Sequence, residues 1–247
     1  MIVNKSVLGI HIIFHEAHGL LAGKIAHHIH PQYRPLHWFE TLIAICEHDD
    51  RQLNFSEKNY LSEIGVPLDF TEEKEEVNAV ITRMRRILKS SQNKSLWVKL
   101  LISYHLEFIY SHLEDKSVKI KTFFEEEHKE RKKILKEFNI SDRKARAYYE
   151  VMRFCDRLSL ILCKDETPSL GRLLEINTSI NGDTFFIKKD EKGSLIISPW
   201  VFETEEIKLS VEERIIKEAQ FKSNKDFEAV LLHTNPNRKE WVIKKGS

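Results

Sequence analysis

The sequence predicts a mainly α-helical body followed by an antiparallel sheet, a fold of the α+β class. Between residues 15 and 163, apolar residues recur at the three- and four-residue spacing of amphipathic helices. After residue 171 the chain changes to short runs in which apolar and polar residues alternate, as they do in half-buried strands. We therefore expect a helical body over residues 1–170 and a β-rich subdomain over residues 171–247 that docks on it.

The length and composition exclude several classes of protein. A chain of 247 residues fits one large domain or two small ones, and 41% hydrophobic residues is too apolar for disorder. The net charge of +1, without a basic patch, argues against binding to duplex nucleic acid. No apolar run approaches the roughly 18 residues that span a membrane. Cys46, Cys155 and Cys163 lie among apolar residues and indicate reduced core cysteines, so we expect a cytoplasmic protein.

The first half of the chain predicts short strands and then three helices. Residues 1–14 alternate weakly around Gly9, which predicts one or two strands. A helix is predicted over residues 15–29, ended by Pro31 and Pro35, and a second over residues 37–50. The next segment is loop-like, with a possible short helix over residues 57–63.

Asp69 and Glu72 resemble a capping box that opens a third helix, which runs to about Lys89. Acidic residues stand first on this helix and basic residues last, an order that suits the helix dipole. These charges are Glu72, Glu73, Glu75 and Glu76, then Arg83, Arg85, Arg86 and Lys89.

Three more helices and the strands complete the predicted fold. The helices cover residues 95–113, 122–138 and 141–163, and Ser141 is a good N-cap for the last. The tail contains the alternating runs TFFIKK, SLIIS, EIKLSV, EAVLLHT and EWVIKK, separated by turn signals such as Asn181-Gly182. We expect four to six antiparallel strands.

Five residues stand out as a candidate site: His18, His48, Asp49, His105 and Asp156. Asp156 lies inside the most apolar helix, where an ionised carboxylate costs several kcal/mol unless it is paired or binds a metal. An ion pair with Arg153 or Arg157 is the alternative explanation.

His105 has a similar position, in the middle of an apolar stripe between Tyr104 and Phe108. A pocket between packed helices can receive one ligand from each, and nitrogen and oxygen donors suit Mn, Fe, Zn, Ni or Mg. We therefore predict a site for one or two divalent metal ions.

Several neighbouring residues have two interpretations. Asp50 is a candidate catalytic residue that orients His48 or binds water, and His15 either ligates or merely precedes the helix. His112 and His128 are candidates for extra ligands. Lys24, Arg51, Arg153 and Arg157 are candidate phosphate anchors, although each is equally explained as an ion-pair partner of nearby acids.

The order His18, His48-Asp49, Asp156 on a helical body resembles the HD-domain superfamily of metal-dependent phosphohydrolases. The resemblance implies a helical bundle of the HD type, to which the C-terminal antiparallel sheet would be appended. It also implies a mononuclear or dinuclear site that activates water against a phosphate ester.

A second resemblance covers nearly the whole chain. The sequence is similar to an uncharacterised bacterial family, domain of unknown function 3891. The similar segments are AHGLLAG at 17–23, AICEHDD at 44–50, LISYH at 101–105, DRLSLILC at 156–163 and SPWVF at 198–202. This resemblance supports the fold and the candidate site but implies no substrate.

Together these patterns predict a metal-dependent hydrolase of phosphate monoesters or diesters, acting on a small phosphorylated molecule or nucleotide. His18, His48, Asp49 and Asp156 would hold the metal, and His105 would bind a second ion or donate to the phosphoryl oxygens. Asp49, Asp50 and His105 are the predicted catalytic residues. A di-iron oxygenase of the HD type and a non-catalytic scaffold that binds a metal, ligand or protein are the alternatives.

Overall fold

The computed structural model describes residues 1–74 and 76–246; for residues 177–179 the description is confined to the backbone. The helices of this part of the chain are α1 (His15–His27), α2 (Trp38–Glu47), α3 (Val77–Gln92), α4 (Leu96–Tyr110), α5 (Val118–Glu137), α6 (Asp142–Cys163) and α7 (Asn224–His233). The strands are β1 (Ile2–Ser6), β2 (Gly9–Ile13), β3 (Leu174–Ile180), β4 (Asp183–Lys189), β5 (Leu195–Ser198), β6 (Glu206–Ile216) and β7 (Asn237–Lys245).

One sheet takes strands from both ends of the chain. Its strand order is β1-β2-β6-β7-β5-β4-β3, and it curls into a half-barrel. Most neighbours are antiparallel, but β5 and β7 are parallel, so the sheet is mixed. The predicted fold class, a helical bundle with an appended C-terminal antiparallel sheet, is therefore wrong.

The reason lies in the first hairpin. Ile2, Ile12 and Ile13 are fully buried, and β2 pairs with β6, where Ile10 stands opposite Ile216. An isolated two-stranded hairpin is marginal in water, so β1 and β2 gain stability by extending a larger sheet. The predicted domain boundary near residue 170 stays a prediction. Strand β2, which precedes this boundary, pairs with β6, which follows it.

Two predicted elements of the fold are different in the structure. The run EAVLLHT lies in helix α7 except for its last residue, because Ser223 caps the first turn and Phe227 and Leu231, four residues apart, are both buried. No helix forms over residues 57–63, which contain turn residues and an isolated bridge from Leu61 to Pro67.

The capping box of Asp69 and Glu72 is present, but it closes a 3₁₀ turn over Phe70–Glu72. Helix α3 begins later, at Val77. Of the charges predicted for this helix, Glu75 lies outside the described residues.

Helices α1 and α6 pack against the sheet. Phe154 of α6 meets Phe185 of β4 at a ring distance of 5.2 Å, and the Lys24 ammonium of α1 donates to the Ser210 carbonyl of β6 at 2.7 Å. Helix α4 is buried along most of its length and contacts both α2 and α6. These contacts bring the inward faces of α1, α2, α4 and α6 together. Among the described residues, no helix has the length and apolar character that crossing a bilayer requires.

Two glycines on one face of α1 determine how closely α2 approaches. A Cβ added at Gly19 would lie 2.3 Å from the carbonyl oxygen of Cys46, and one added at Gly23 would lie 2.1 Å from the Cys46 sulfur. Both distances are shorter than any ordinary contact. Residue Cys46 of α2 therefore occupies the space that side chains at these two positions of α1 would need. The close approach carries the end of α2, where His48 follows, up to His18.

Candidate metal centre

The structure brings the five predicted site residues together. His18 lies in the first turn of α1, His48 and Asp49 follow α2 directly, His105 is on α4 and Asp156 is on α6. His18 and His48 are fully buried, whereas the Asp49 and Asp156 side chains keep 15% and 12% of their surface exposed. The two carboxylates therefore form the side of the site that solvent can reach.

Three atoms form a nearly equilateral triangle at the centre of this site. His18 Nε2 lies 3.1 Å from His48 Nε2 and 3.0 Å from Asp156 Oδ1, and His48 Nε2 lies 3.1 Å from the same oxygen. Two ligands at adjacent corners of an octahedral ion, each bonded at about 2.1 Å, are also about 3.0 Å apart. The triangle thus has the size of one face of a metal coordination shell.

The hydrogen bonds of Nδ1, the nitrogen of each ring that faces away from the triangle, determine whether Nε2 carries a proton. The Nδ1–H of His48 donates to the Ile45 carbonyl at 2.7 Å, because a carbonyl can only accept. Ser159 donates its hydroxyl to the Asp156 carbonyl, so it accepts from the Nδ1–H of His18 at 2.8 Å. With both Nδ1 atoms protonated, the neutral rings turn the lone pairs of Nε2 towards each other and towards Asp156.

Three lone pairs in mutual contact repel unless a proton or a cation lies between them. Burial opposes a charge on His48, but the Asp156 carboxylate outweighs it and raises the pKa of His48 to about 9. Burial also works against ionised Asp156, yet the charge on His48 and the close contacts of both Nε2 atoms with its carboxylate hold the pKa of Asp156 well below its usual range. The triangle is therefore built to hold one positive charge.

Asp49 lies at the edge of the triangle. Its Oδ2 is 3.8 Å from His18 Nε2 and 4.0 Å from His48 Nε2, and it accepts a hydrogen bond from His15 Nδ1 at 2.9 Å. Its Oδ1 accepts from the Arg83 guanidinium at 2.7 Å. Although burial opposes ionisation, His15, His48 and Arg83 keep the pKa of Asp49 well below its ordinary value.

His15 is a neutral partner of Asp49. Burial, together with the positive charge of the chain's amino terminus, lowers the pKa of His15 to about 4, against the opposing effect of Asp49. Its ring stands edge-on to Phe70, with centroids 5.4 Å apart. The structure thus places His15 one contact away from the triangle, behind Asp49.

His105 supplies a nitrogen with no protein partner. Its Nδ1 is 3.2 Å from the Tyr149 hydroxyl, while its buried Nε2 has no hydrogen-bond partner in the described part of the chain. Its ring meets that of His48 at 4.8 Å, and one potential ligand atom from each of His48, His105 and Asp156 lies within 4.8 Å of the others. Burial and the neighbouring His48 lower the pKa of His105 to about 3, so this ring is neutral.

A metal ion fits these residues on three observations. The triangle offers two neutral imidazole nitrogens and a carboxylate oxygen, the donor set that first-row transition ions prefer. A second group, formed by His18, His48 and Asp49, also has its potential ligand atoms within 4.8 Å of one another. The unpartnered His105 Nε2 adds a further donor beside them.

Asp50 does not orient His48, because the Nδ1–H of His48 donates to the Ile45 carbonyl. Burial, Glu16 and Glu47 raise the pKa of Asp50 to about 6.

The remaining candidate residues have protein partners. The candidate phosphate anchors make the following contacts: Lys24 with Ser210, Arg51 with Ser90, Arg153 with Glu150 and Arg157 with Glu166. The candidate extra ligands lie apart, with His112 bonded to Ile109 and His128 to Glu107.

Three residues of the site were not predicted from sequence. Ser159 stands three residues after Asp156, about one helical turn along α6, so this spacing could have indicated that it lies beside the site. No local pattern links Tyr149 to His105, although the two side chains contact each other. Arg83 belongs to the charge gradient predicted for the third helix, and nothing in that charged segment indicates its burial, with 6% of its surface exposed.

Ser159 allows a test of how the site is oriented. We expect Ser159→Ala to weaken binding of Mn²⁺ about 10- to 100-fold, the usual effect of losing the partner that orients a ligating histidine. The variant leaves the Nδ1–H of His18 without an acceptor and lets the proton move to Nε2. Titration calorimetry measures the affinity, and ¹⁵N chemical shifts of the imidazole report the tautomer.

The matched control is Ser91→Ala. Ser91 is equally buried and donates to a helix carbonyl, that of Ile87, as Ser159 does to that of Asp156. Equal Mn²⁺ affinity in both variants would show that Ser159 has no special role in orienting His18.

Comparison with protein families places the chain in one family. The model of the family described as "Protein of unknown function (DUF3891)" matches residues 1–218. The chain belongs to this family. The match includes all five residues of the candidate site, α1 to α6 and the strands up to and including β6. No curated protein and no solved structure matches the chain.

Proposed function

We propose that this DUF3891 protein is a metal-dependent phosphohydrolase that cleaves a phosphate monoester or diester at the centre formed by His18, His48, Asp49 and Asp156. The resemblance of these four residues, in their order along the chain, to those of HD-domain enzymes favours this chemistry. The observation that carries the proposal is the triangle of lone pairs between His18, His48 and Asp156, with sides of 3.0 to 3.1 Å.

The proposed mechanism gives each residue a role. His18, His48 and Asp156 would hold a divalent ion of Mn, Fe, Zn, Ni or Mg, and Asp49 would be a further ligand or would direct the attacking water. Such an ion would lower the pKa of water towards neutrality and offset negative charge on the phosphoryl oxygens. The imidazoles of His18 and His48 are fully buried and would exclude bulk water from their side of the centre.

Asp50 and His105 act at the sides of this centre. Asp50 follows Asp49 and is partly exposed, so its carboxylate can accept a hydrogen bond from water that enters the site. His105 would bind a second ion through Nε2 or donate Nε2–H to a phosphoryl oxygen. A small phosphorylated molecule or nucleotide is the proposed substrate class.

Replacing His105 separates its two proposed roles. We expect His105→Ala to lower hydrolysis of p-nitrophenyl phosphate or bis(p-nitrophenyl) phosphate by about 100- to 10,000-fold, the range for loss of a proton-transfer group. Metal analysis of the same protein then distinguishes the roles. A fall in stoichiometry from two towards one indicates a ligand, and unchanged stoichiometry indicates a donor.

His112→Ala is the control, because His112 lies seven residues further along the chain and bonds a backbone carbonyl. A His105→Ala protein with unchanged metal content and unchanged activity would mean that His105 is only a packing residue. A wild-type protein that binds metal but hydrolyses neither ester would contradict the phosphohydrolase proposal itself.

The nitrogen-rich surroundings of His105 favour a second candidate, a di-iron oxygenase. His48 and His105 stand edge to face at 4.8 Å, so two ions sharing this centre would have several imidazole donors. Two irons per chain, with oxygen consumption and no ester hydrolysis, would favour the oxygenase over the phosphohydrolase.

A further inference from the structure

Arg83 is a buried cation beside the proposed metal centre that the mechanism above does not use. It reaches from α3, and only 7% of its side chain is exposed. One terminal nitrogen, Nη1, donates to the Tyr110 hydroxyl at 2.8 Å, and the other, Nη2, donates to Asp49 Oδ1 at 2.7 Å. Its Nε is buried and has no acceptor among the described residues.

The planar geometry of arginine fixes where this unpartnered N–H points. Nη2 is the terminal nitrogen on the same edge of the guanidinium as the Nε–H, so both groups donate in nearly parallel directions. A carboxylate normally accepts from both. Here Asp49 uses Oδ1 for Nη2 and turns Oδ2 towards His15 and the triangle, so the Nε–H is directed to a point beside the carboxylate.

The charge of the centre favours an anion at that point. Asp49 and Asp156 contribute two negative charges, and Arg83 with a divalent ion contributes three positive ones, so the loaded centre carries one positive charge in excess. Arginine forks recognise the oxygens of phosphate by charge-assisted hydrogen bonds. Asp49, whose side chain is 15% exposed, also lies on the side of the centre that solvent can reach.

We propose that Arg83 is a phosphate anchor, whose Nε–H binds a non-bridging phosphoryl oxygen of the substrate beside Asp49. The proposal rests on the proposed phosphohydrolase function and adds the residue that recognises the phosphoryl group. It gives this role to the buried Arg83 in place of arginines 51, 153 and 157, which are more exposed.

Binding of inorganic phosphate to the full-length protein tests the proposal. With the protein loaded with Zn²⁺, phosphate should shift the ¹⁵N and ¹H resonances of Arg83 Nε–H. Arg83→Lys, which keeps the positive charge but removes this N–H, should weaken phosphate binding at least about 10-fold by calorimetry, as loss of a charge-assisted hydrogen bond does. Zn²⁺ affinity should change much less. The control is Arg86→Lys on the same helix, since Arg86 pairs with Glu57 near the surface.

Several results would overturn the proposal. It fails if wild-type protein binds no phosphate, if the Nε–H does not respond to it, or if Arg83→Lys binds phosphate as well as wild type. An Arg83→Lys protein that loses Zn²⁺ and phosphate together would mean that Arg83 only holds Asp49.

Failure of the metal centre is recognised separately. If wild-type protein binds no Zn²⁺, the proposed function fails, and the anchor, which relies on the charge of the loaded centre, fails with it. If wild-type protein binds Zn²⁺ but phosphate leaves the Nε–H resonances unchanged, only the anchor fails. If Arg83→Lys does not fold, the response of the Arg83 Nε–H resonances to phosphate in the wild-type protein still tests the proposal.

Discussion

Removing any corner of the His18, His48 and Asp156 triangle is expected to abolish specific metal binding. We expect alanine at each position to weaken the affinity for Mn²⁺ or Zn²⁺ by more than about 100-fold, because losing only an orienting partner already costs 10- to 100-fold. Thermal unfolding gives an independent measure. Metal at one hundred times its dissociation constant stabilises a folded protein by about 2.7 kcal/mol, which raises the melting temperature of a chain this long by about 5–10 °C. The variants should lose that shift.

His128→Ala is the matched control for these variants. His128 contacts Glu107 at 2.6 Å, away from the triangle, and its replacement should leave both the affinity and the melting shift unchanged. Each variant must first unfold cooperatively, since removing His48 leaves the Asp156 carboxylate with one partner fewer. An alanine variant that keeps wild-type affinity would remove that residue from the proposed ligand set.

Gly19→Ala is expected to have the largest effect on stability. Alanine favours the helical state by about 1 kcal/mol over glycine, but overpacking costs about 1–3 kcal/mol or more. At Gly19 the added carbon meets the backbone carbonyl of Cys46, which cannot rotate away, so α1 and α2 must separate. We expect a net loss of about 2 kcal/mol or more in the free energy of unfolding, with weaker metal binding, because His18 moves away from His48.

Gly23→Ala provides the comparison, because its added carbon meets the sulfur of Cys46 and not its backbone. Removing that sulfur should restore the space, since the remaining Cβ of residue 46 is 3.6 Å away, an ordinary contact. Gly23→Ala should therefore destabilise wild type but be neutral or stabilising in a Cys46→Ala background. Urea unfolding of the four proteins of this cycle measures the coupling. Equal effects of Gly23→Ala in both backgrounds would contradict the close packing of α1 on α2.

The candidate site could be predicted from sequence because its residues contradict their surroundings. Asp156 is a carboxylate in an apolar helix, and His105 is an imidazole in an apolar stripe, so each needs a polar partner wherever the helices pack. Arg83 gave no such signal, because an arginine on a highly charged helix is usually exposed. Its burial follows from the tertiary position of Asp49 and Tyr110, which local patterns do not encode.

The errors in the predicted fold have a similar origin. Alternation around Gly9 indicated strands, but the pairing of β2 with β6 joins residues about 200 positions apart and leaves no local trace. Phe227 and Leu231 are four residues apart, a spacing that places both side chains on one face of either a strand or a helix. Its helical state depends on the Ser223 cap and on burial of that face.

The central claim, that His18, His48 and Asp156 hold a divalent metal ion, is tested most directly by anomalous diffraction from crystals of the full-length protein grown with Mn²⁺ or Zn²⁺. The account predicts an anomalous peak bonded to His18 Nε2, His48 Nε2 and Asp156 Oδ1 at about 2.0–2.6 Å. Crystals with no peak there, in which His48 and Asp156 keep a direct hydrogen bond at saturating metal, would contradict it.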